Sequence, residues 1–250
     1  MTYAAESGHW YAKDGSPAYE VQGKNGQMRA TTLRDARKLT LYPSVTTIIR
    51  CAAAPGLERW KAEQVLLAAL TLPRREDEAE KEWLDRVWRD AGEQGKKAAE
   101  RGTEIHAAIE QRLLGREFDK SYQPHVSGAL FALDQVCGSQ QWKPEKSFTD
   151  AFLGYGGKVD LHSDEWVIDF KSKEFSAEDE MDTYDTHWMQ LAAYANGLQR
   201  PEARCGIVYV SASVPGVAKL VELTEEQIEK GWGMFHSLLQ YWQAKTGYKP

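Results

Sequence analysis

The sequence has little cysteine, no long apolar run and no recognisable leader. Its three cysteines, Cys51, Cys137 and Cys205, are odd in number and far apart, which argues against a disulfide framework and a Cys-x-x-Cys metal knuckle. No stretch approaches the roughly eighteen apolar residues of a membrane span, and residues 1–10 lack a basic region followed by an apolar one. We expect reduced cysteines, no membrane partner and a cytoplasmic location, the host cytoplasm if a phage encodes the chain.

Basic residues are also in deficit. The chain has 31 lysines and arginines against 37 aspartates and glutamates, a net charge of -6. Net charge is a poor guide to a nucleic-acid partner, however, because a local groove can carry the opposite sign. Acidic residues gather in 76–82 and basic residues in 29–38 and 96–101. Such runs are usually solvated helix surface, so charge alone leaves the partner open.

The composition permits one substantial core, or one core with an attached lobe, because 42% of the 250 residues are hydrophobic. We predict one domain over 1–250, made of an N-terminal extension (1–42), a helical region (43–115) and a core (140–250). The extension is loop-like, with hairpin signals at Gly23, Asn25 and Gly26.

Helical spacing dominates the region before residue 115. It covers 57–72 and 77–114, where Gly92, Gly95 and Gly102 are expected as bends or breaks. A short helix is expected after Pro43 with Ser44 as its cap, although the β-branched residues that follow would also suit a strand.

After Pro144 the apolar period changes to two. The predicted strands are 145–149, 155–162, 165–171, 204–211 and 217–223, and the predicted helices are 185–198 and 224–245. Thr224 is expected to cap the last helix, with Gln227 at the capping-box position. This order predicts an α+β or three-layer α/β domain with a mixed sheet flanked by helices.

Two neighbouring strands carry the candidate chemistry. Trp166, Ile168 and Phe170 alternate with Val167, Asp169 and Lys171, which predicts one apolar face and one charged face. In the preceding strand Val159 and Leu161 are the apolar partners, and Lys158, Asp160 and His162 lie opposite them. A two-residue turn at 163–164 or 164–165 would place Asp160 diagonal to Asp169 or directly across from it. Both carboxylates are then expected to face away from the core.

Two carboxylates this close repel each other unless a cation neutralises them, and oxygen ligands suit Mg²⁺ or Mn²⁺. Such an ion supports phosphodiester hydrolysis. Lys171 could orient water or stabilise developing charge as an ammonium, or act as a general base if burial lowers its pKa. The plain alternative is a surface hairpin with cross-strand ion pairs.

Two helical pairs add polar groups at a spacing of four residues. His106 and Glu110 border an apolar stripe, so His106 is either a metal ligand, which would favour Mn²⁺ somewhat, or a hydrogen-bonded core residue. Gln190 and Tyr194 could contact a nucleotide, or Tyr194 could be a buried tyrosine with a hydroxyl partner.

These residues together resemble the RecB-type branch of PD-(D/E)XK nucleases. That branch has a helical histidine, a Gly-x-x-Asp strand, an Asp-x-Lys strand and a Gln-x-x-x-Tyr helix in this order. Here the motifs are His106, Gly157 to Asp160, Asp169 to Lys171 and Gln190 to Tyr194. The resemblance implies a restriction-endonuclease-like core.

Within the branch the sequence is similar to mitochondrial genome-maintenance exonucleases and related phage exonucleases, over roughly residues 42–245. The similarity implies that His106, Asp160, Asp169 and the Phe170 carbonyl ligate metal, and that Glu145 approaches a second metal. It implies that Lys171 serves the attacking water and that a single strand threads beneath a helical arch over 57–105. The implied substrate contacts are Ser44, Trp60, Glu110, Ser172, Gln190 and Tyr194. Ser172-Lys173 departs from the Thr-Ser often found there, and Ser172 is the implied phosphate contact.

The leading hypothesis is a Mg²⁺- or Mn²⁺-dependent DNA exonuclease that prefers single strands or ends, in recombination, replication or repair. The alternatives are a ring-forming phage-type exonuclease that resects double strands, a nucleic-acid-binding module without activity, and a restriction endonuclease. No iron–sulfur cluster is expected, because no cysteine follows Cys205. A single-strand-binding or recombination protein is a conceivable further partner.

Overall fold

The structure is a computed structural model that describes residues 8–53 and 55–250. Residues 1–7, on which part of the leader prediction falls, and residue 54 of the predicted helical region lie outside the described residues.

A five-stranded mixed sheet forms the centre of the fold. Its strands, in spatial and chain order, are β5 (Lys143–Asp150), β6 (Tyr155–His162), β7 (Trp166–Lys173), β8 (Arg204–Ser211) and β9 (Ala218–Glu222). Only the β7–β8 pair within it is parallel, and helix α6 (Asp185–Gly197) makes the crossover that a parallel pair requires. The predicted mixed sheet flanked by helices is confirmed.

Short elements occupy the N-terminal extension and the start of the helical region: β1 (Trp10–Tyr11), β2 (Glu20–Gln22), β3 (Met28–Ala30), α1 (Leu33–Leu39), β4 (Tyr42–Pro43) and α2 (Val45–Ile49). Strands β2 and β3 form the expected hairpin around Gly23 and Gly26. Helix α1 was not expected; it begins at a capping box in which Thr32 and Asp35 bond each other's backbone. The Ser44 side chain caps α2, so the helix after Pro43 is confirmed.

The longer helices are α3 (Pro55–Thr71), α4 (Glu80–Leu113), α5 (Gln123–Cys137) and α7 (Glu225–Thr246). The breaks expected at the three glycines are wrong, because α4 runs continuously through them. Glycine costs about 1 kcal/mol in a helix, but Gly102 gains close packing: a Cβ there would lie 2.5 Å from the Ser172 Oγ. Helix α5 has no counterpart in the predicted elements. The Thr224 cap and Gln227 capping box of α7 are confirmed.

Both faces of the sheet are covered. One core contains Val159, Val167 and Ile207 with side chains of α2, α6 and α7, and the other contains Leu161, Ile168 and side chains of α4 and α5. The expectation that Asp169 faces away from the core is therefore wrong, since that residue is 3% exposed. A central strand next to a parallel partner is buried on both sides.

Strand β6 turns over at Asp160. Val159 packs into one core and Leu161 into the other, which corrects the prediction that they share a face. Beside this point Glu145 has a left-handed backbone (φ 58°) and interrupts the β5–β6 ladder. Strand β6 also pairs with β7 only at Leu161 and His162. The two strands separate beyond these pairs, and the polar residues converge at this separation.

No helix in the described parts of the chain is both long enough and apolar enough to cross a membrane.

Candidate active site

Asp160 and Asp169 are brought together by the β6–β7 turn. Its two central residues are Asp164 and Glu165, because the Ser163 N–H donates to the Trp166 carbonyl at 2.9 Å. Of the two turns that the sequence allowed, this one sets the register Leu161 to Ile168 and His162 to Val167. Continued past the point where the strands separate, that register would place Asp160 across from Asp169.

Asp160 links the sheet to α4. Its Oδ2 lies 2.9 Å from the His106 Nε2 and accepts the Phe170 N–H at 2.9 Å. The bond from the Phe170 N–H takes the place of a backbone hydrogen bond between β6 and β7, at the point where these strands separate. His106 extends from α4 across the sheet face to reach it, so a helix and two strands meet at one carboxylate.

Asp169 is held by α6 and by its own strand. Its Oδ1 accepts the Gln190 Nε2 at 2.8 Å, and its Oδ2 lies 2.7 Å from the Lys171 Nζ. The Gln190 Oε1 accepts from Lys171 at 3.1 Å, and Gln190 also donates to the Tyr194 hydroxyl at 3.1 Å. We call His106, Asp160, Asp169, Lys171 and Gln190 the carboxylate cluster.

The two carboxyl groups differ in their proton affinity. Burial, reinforced by the charge of Asp160 and opposed by Lys171, raises the pKa of Asp169 to about 6. Burial also acts upward on Asp160, but the hydrogen bond and charge of His106 outweigh it and lower the Asp160 pKa. The same pairing raises the pKa of His106 against the effect of its own burial. The contact between His106 and Asp160 thus favours the charged form of each group.

Lys171 keeps its proton in this arrangement. Burial alone would lower its pKa, but the neighbouring Asp169 carboxylate outweighs burial and raises it. This arrangement favours the charged ammonium over the neutral amine that a general base would need.

Glu145 forms a second acidic position beside the cluster. It pairs with Lys158, burial raises its pKa against the effect of that lysine, and the charge of Asp160 adds to the rise. The strand pattern indicates no role for Lys158, although it lies one alternation from Asp160 on β6. It also does not reveal the left-handed backbone of Glu145, the partner of Lys158.

A groove adjoins the cluster between α3, α4 and the end of β7. It encloses 730 Å³ and is lined by Trp60, Gly102, His106, Glu110 and Ser172, among others. A smaller cavity of 180 Å³ shares Gly102, His106 and Ser172 with it and reaches Phe170 and Lys171. Three of the predicted substrate residues, Trp60, Glu110 and Ser172, thus lie along one surface that ends at the cluster.

Ser44 is not among the residues brought together. It is buried, and its hydroxyl accepts the Thr47 N–H at 3.0 Å and bonds the hydroxyls of Thr46 and Thr47. The structure gives it the role of a helix cap. The sequence suggested Gly102 as a break, but this glycine instead lets α4 approach Ser172. Its position, one helical turn before His106, is the sequence feature that could have indicated this role.

The side chains include two carboxylates, which suit a hard divalent cation, and an imidazole, which suits Mn²⁺ better than Mg²⁺. Apart from its ion pair with Lys171, the buried Asp169 Oδ2 accepts no hydrogen bond from the described residues. In the described parts of the chain no three His, Cys, Asp or Glu side chains surround a common point. His106 and Lys171 now neutralise the two carboxylates, so ion binding would require these contacts to rearrange.

A larger cavity of 800 Å³ lies away from the cluster, between the end of β8 and α7. Its lining includes Glu202, Glu222, Glu225 and Glu229, balanced by Arg204. An excess of carboxylates repels phosphate, so this cavity is a poor candidate for the same chemistry.

No protein-family model and no curated protein sequence matches this chain. Among solved structures, the crystal structure of a candidate exonuclease from Eubacterium rectale aligns with 59% of this chain and 68% of that one, at 10% identity and a TM-score of 0.43. A similarity this distant carries no weight here. The functional proposal therefore rests on the residues themselves.

Proposed function

We propose that this protein is a metal-dependent DNA nuclease of the PD-(D/E)XK type, acting as an exonuclease with a preference for single strands or ends. The observation that carries the proposal is the convergence of the carboxylate cluster from α4, β6, β7 and α6, in which Asp169, Lys171 and Gln190 are in mutual contact and Asp160 pairs with His106. A surface hairpin with ion pairs would not bury Asp169 beneath a helix.

His106, Asp160, Asp169 and the Phe170 carbonyl would hold Mg²⁺ or Mn²⁺, with Glu145 available to a second ion. When bound, such an ion supplies a Lewis acid for the phosphate and favours attack by water. The Phe170 N–H and Gln190 orient the two carboxylates. This orientation is set before substrate binds, which reduces the reorganisation that catalysis requires.

Lys171 would stabilise the negative charge that develops on the phosphate, because its raised pKa keeps the ammonium charged. Gln190 accepts one of its N–H groups and so fixes its direction. Tyr194 is buried and hydrogen-bonded to Gln190, which makes it a support for Gln190 rather than a direct phosphate contact. Ser172, at the mouth of the groove, remains the proposed phosphate contact.

The preference for unpaired DNA is supported by Trp60, which is 40% exposed beside the groove. An aromatic ring can stack on a base only when that base is unpaired or at an end. A double-strand-resecting ring and a silent binding module remain the alternatives.

The decisive experiment uses end-labelled single- and double-stranded DNA with and without Mn²⁺ or Mg²⁺. We expect metal-dependent release of short products from single strands, and no cleavage by the Asp160→Asn variant. Exclusively internal cuts would refute the exonuclease assignment. Cleavage without metal, or an active Asp160→Asn variant, would refute the site.

Lys171→Met tests the proposed role of the ammonium. Loss of a partner for transition-state charge costs about 10²- to 10³-fold in rate, while binding should persist in Ca²⁺. Single-turnover cleavage is compared with a binding titration. A variant within a few-fold of wild type would make Lys171 only an ion-pair partner of Asp169, and a variant that fails to bind DNA would make it a phosphate anchor.

A further inference from the structure

The helical hairpin formed by α3 and α4 exposes large apolar side chains along its length. Trp60 and Leu67 on α3 and Leu84 and Trp88 on α4 are 40%, 55%, 41% and 62% exposed, respectively. Large exposed apolar patches on soluble proteins usually mark a binding surface. The question is what this surface binds.

On α4, Trp88 lies on the same helix face as His106, the histidine of the carboxylate cluster. Trp88, Gly95, Gly102 and His106 follow one another at steps of seven, seven and four residues, which keep side chains on one face. Trp60 joins this face from α3, because a Cβ at Gly95 would lie 3.5 Å from the Trp60 Cη2 atom. The two tryptophans therefore lie along the same side of the hairpin.

This surface leads to the carboxylate cluster. The groove lined by Trp60 and Gly95 shares Gly102 and His106 with the small cavity at Lys171. With a rise of about 1.5 Å per residue, Trp88 lies roughly 27 Å from His106 along the helix axis, and the Trp60 contact at Gly95 lies roughly 16 Å from it. The two rings are thus at different distances from the reaction centre.

The net charge of the hairpin would not attract a polyanion such as DNA. Residues 55–113 contain 11 lysines and arginines and 13 aspartates and glutamates. An acidic hairpin offers phosphates no net attraction, whereas an exposed indole ring offers any base a stacking surface whatever its sequence. Of the two parts of a nucleotide, the base suits this surface better.

We propose that Trp60 and Trp88 form a two-step stacking track for unpaired bases of the strand that is cleaved, with Trp60 as the near step and Trp88 as the far step. This inference rests on the proposed nuclease function and extends it: the enzyme would bind longer single strands more tightly than short ones. Leu67 and Leu84 provide apolar surface beside the far step.

The test is a binding titration in Ca²⁺ with labelled oligothymidylates from about four to about sixteen nucleotides, a range of single-strand site sizes. Trp60→Ala should weaken binding at every length. Trp88→Ala should weaken only the longer strands, by about five- to a hundred-fold in Kd, which is the worth of one stacked base. Trp88→Phe should restore part of the loss.

Leu70→Ala is the matched control, because Leu70 is a still more exposed apolar side chain of the hairpin, at 80%, that carries no ring. We expect it to bind all lengths as wild type does. A long strand carrying abasic sites at the positions far from the cleaved end should make Trp88→Ala and wild type equal, because the π face that Trp88 would contact is gone.

Three results would overturn the track: a Trp88→Ala variant that binds every length as wild type does, one that is weakened equally at short and long lengths, or one whose sedimentation shows the loss of a self-association present in wild type. A protein that shows the length-dependent loss but never cleaves would refute the nuclease and keep the track. A protein that cleaves with length-independent binding would refute the track alone.

Discussion

The carboxylate cluster buries charged side chains, whereas the α3–α4 hairpin exposes large apolar ones. Asp169 is 3% exposed beneath α6, and Leu70 on α3 is 80% exposed. Each region reverses the usual distribution, in which charges are solvated and leucines are buried. In the cluster every charge has a partner of opposite sign, but α3 packs on α4 and its outer leucines remain uncovered within the described structure.

The two regions point to function in different ways. Burying a charge costs several kcal/mol, which pairing only partly offsets, and exposing apolar surface forgoes about 25 cal/mol per Å². Neither arrangement is what stability alone would select. The cluster implies chemistry at a fixed point, whereas the hairpin implies a surface that a ligand or partner covers.

The largest expected effect comes from Asp169→Asn. The substitution keeps the size of the side chain and an acceptor for the Gln190 N–H, but it removes the charge. We expect cleavage to fall about 10³-fold, or ~4 kcal/mol of transition-state stabilisation, while the far-ultraviolet circular dichroism stays unchanged. Single-turnover kinetics give the rate.

Glu180→Gln supplies the matched control for that variant, because it removes an exposed carboxylate and should leave the rate as it is. An equal loss in both variants would show that overall charge, rather than the cluster, governs activity.

The contrast between the two regions can be tested by stability with one type of substitution. Leu133→Ala removes a side chain that is 2% exposed in the core beneath α5 and should cost about 2 to 5 kcal/mol. Leu70→Ala removes an exposed one and should change the free energy of unfolding by less than about 0.5 kcal/mol. Urea unfolding measures both. A large cost at Leu70 would mean that another copy of the chain covers the hairpin in solution.

Much of the fold could be predicted because it depends on local patterns. Strand alternation gave the bounds of β6 and β8 correctly, and Thr224 marked the start of α7. Helix α5 was missed although Pro124 lies in its first turn and Gly138 follows its last. The continuity of α4 could not be predicted from its three glycines. Only Gly102 is required by close packing, and its neighbour, Ser172, lies elsewhere in the chain.

The sequence could predict which residues form the candidate site, but not which of them are buried. Spacing brought Asp160 opposite Asp169, and the structure adds the His106 and Gln190 contacts. Which face was buried could not be deduced, because alternation alone does not say that α6 covers the charged side. The inversion of β6 at Asp160 lies beside the left-handed backbone of Glu145, which no residue pattern indicates.

Glu145 provides a smaller effect that separates backbone strain from charge. Its φ of 58° lies where residues with a Cβ are strained, by about 1 to 2 kcal/mol. Glu145→Gly and Glu145→Ala both remove the partner of Lys158, but only glycine adopts this backbone freely. We expect the glycine variant to be about 1 kcal/mol more stable than the alanine variant in urea unfolding. Equal stabilities would show that the backbone relaxes when the ion pair is lost.

His187 on α6 gives the smallest effect and links the cluster to pH. Its Nδ1 lies 3.3 Å from the Tyr184 N–H, which donates to it, and such an acceptor requires a neutral ring. Burial, with the positive charges of Lys171 and Lys173, lowers the pKa of His187 to about 4, whereas Asp185 acts in the opposite direction.

The direction of the pH effect follows from this lowered pKa. Below the unfolded-state value of about 6.5 the unfolded chain binds a proton at His187 that the folded chain does not, so stability falls as pH drops from about 6.5 towards about 4. His187 is partly exposed, which limits its contribution to the order of 1 kcal/mol. Over that interval we expect the free energy of unfolding of wild type to fall by this amount relative to that of His187→Gln. Above pH 7 the two free energies should change in parallel. Because both proteins contain the same carboxylates, their difference isolates this ring. A difference that stays constant from pH 7 to pH 4 would show that His187 is solvated and that the lysines of β7 do not act on it.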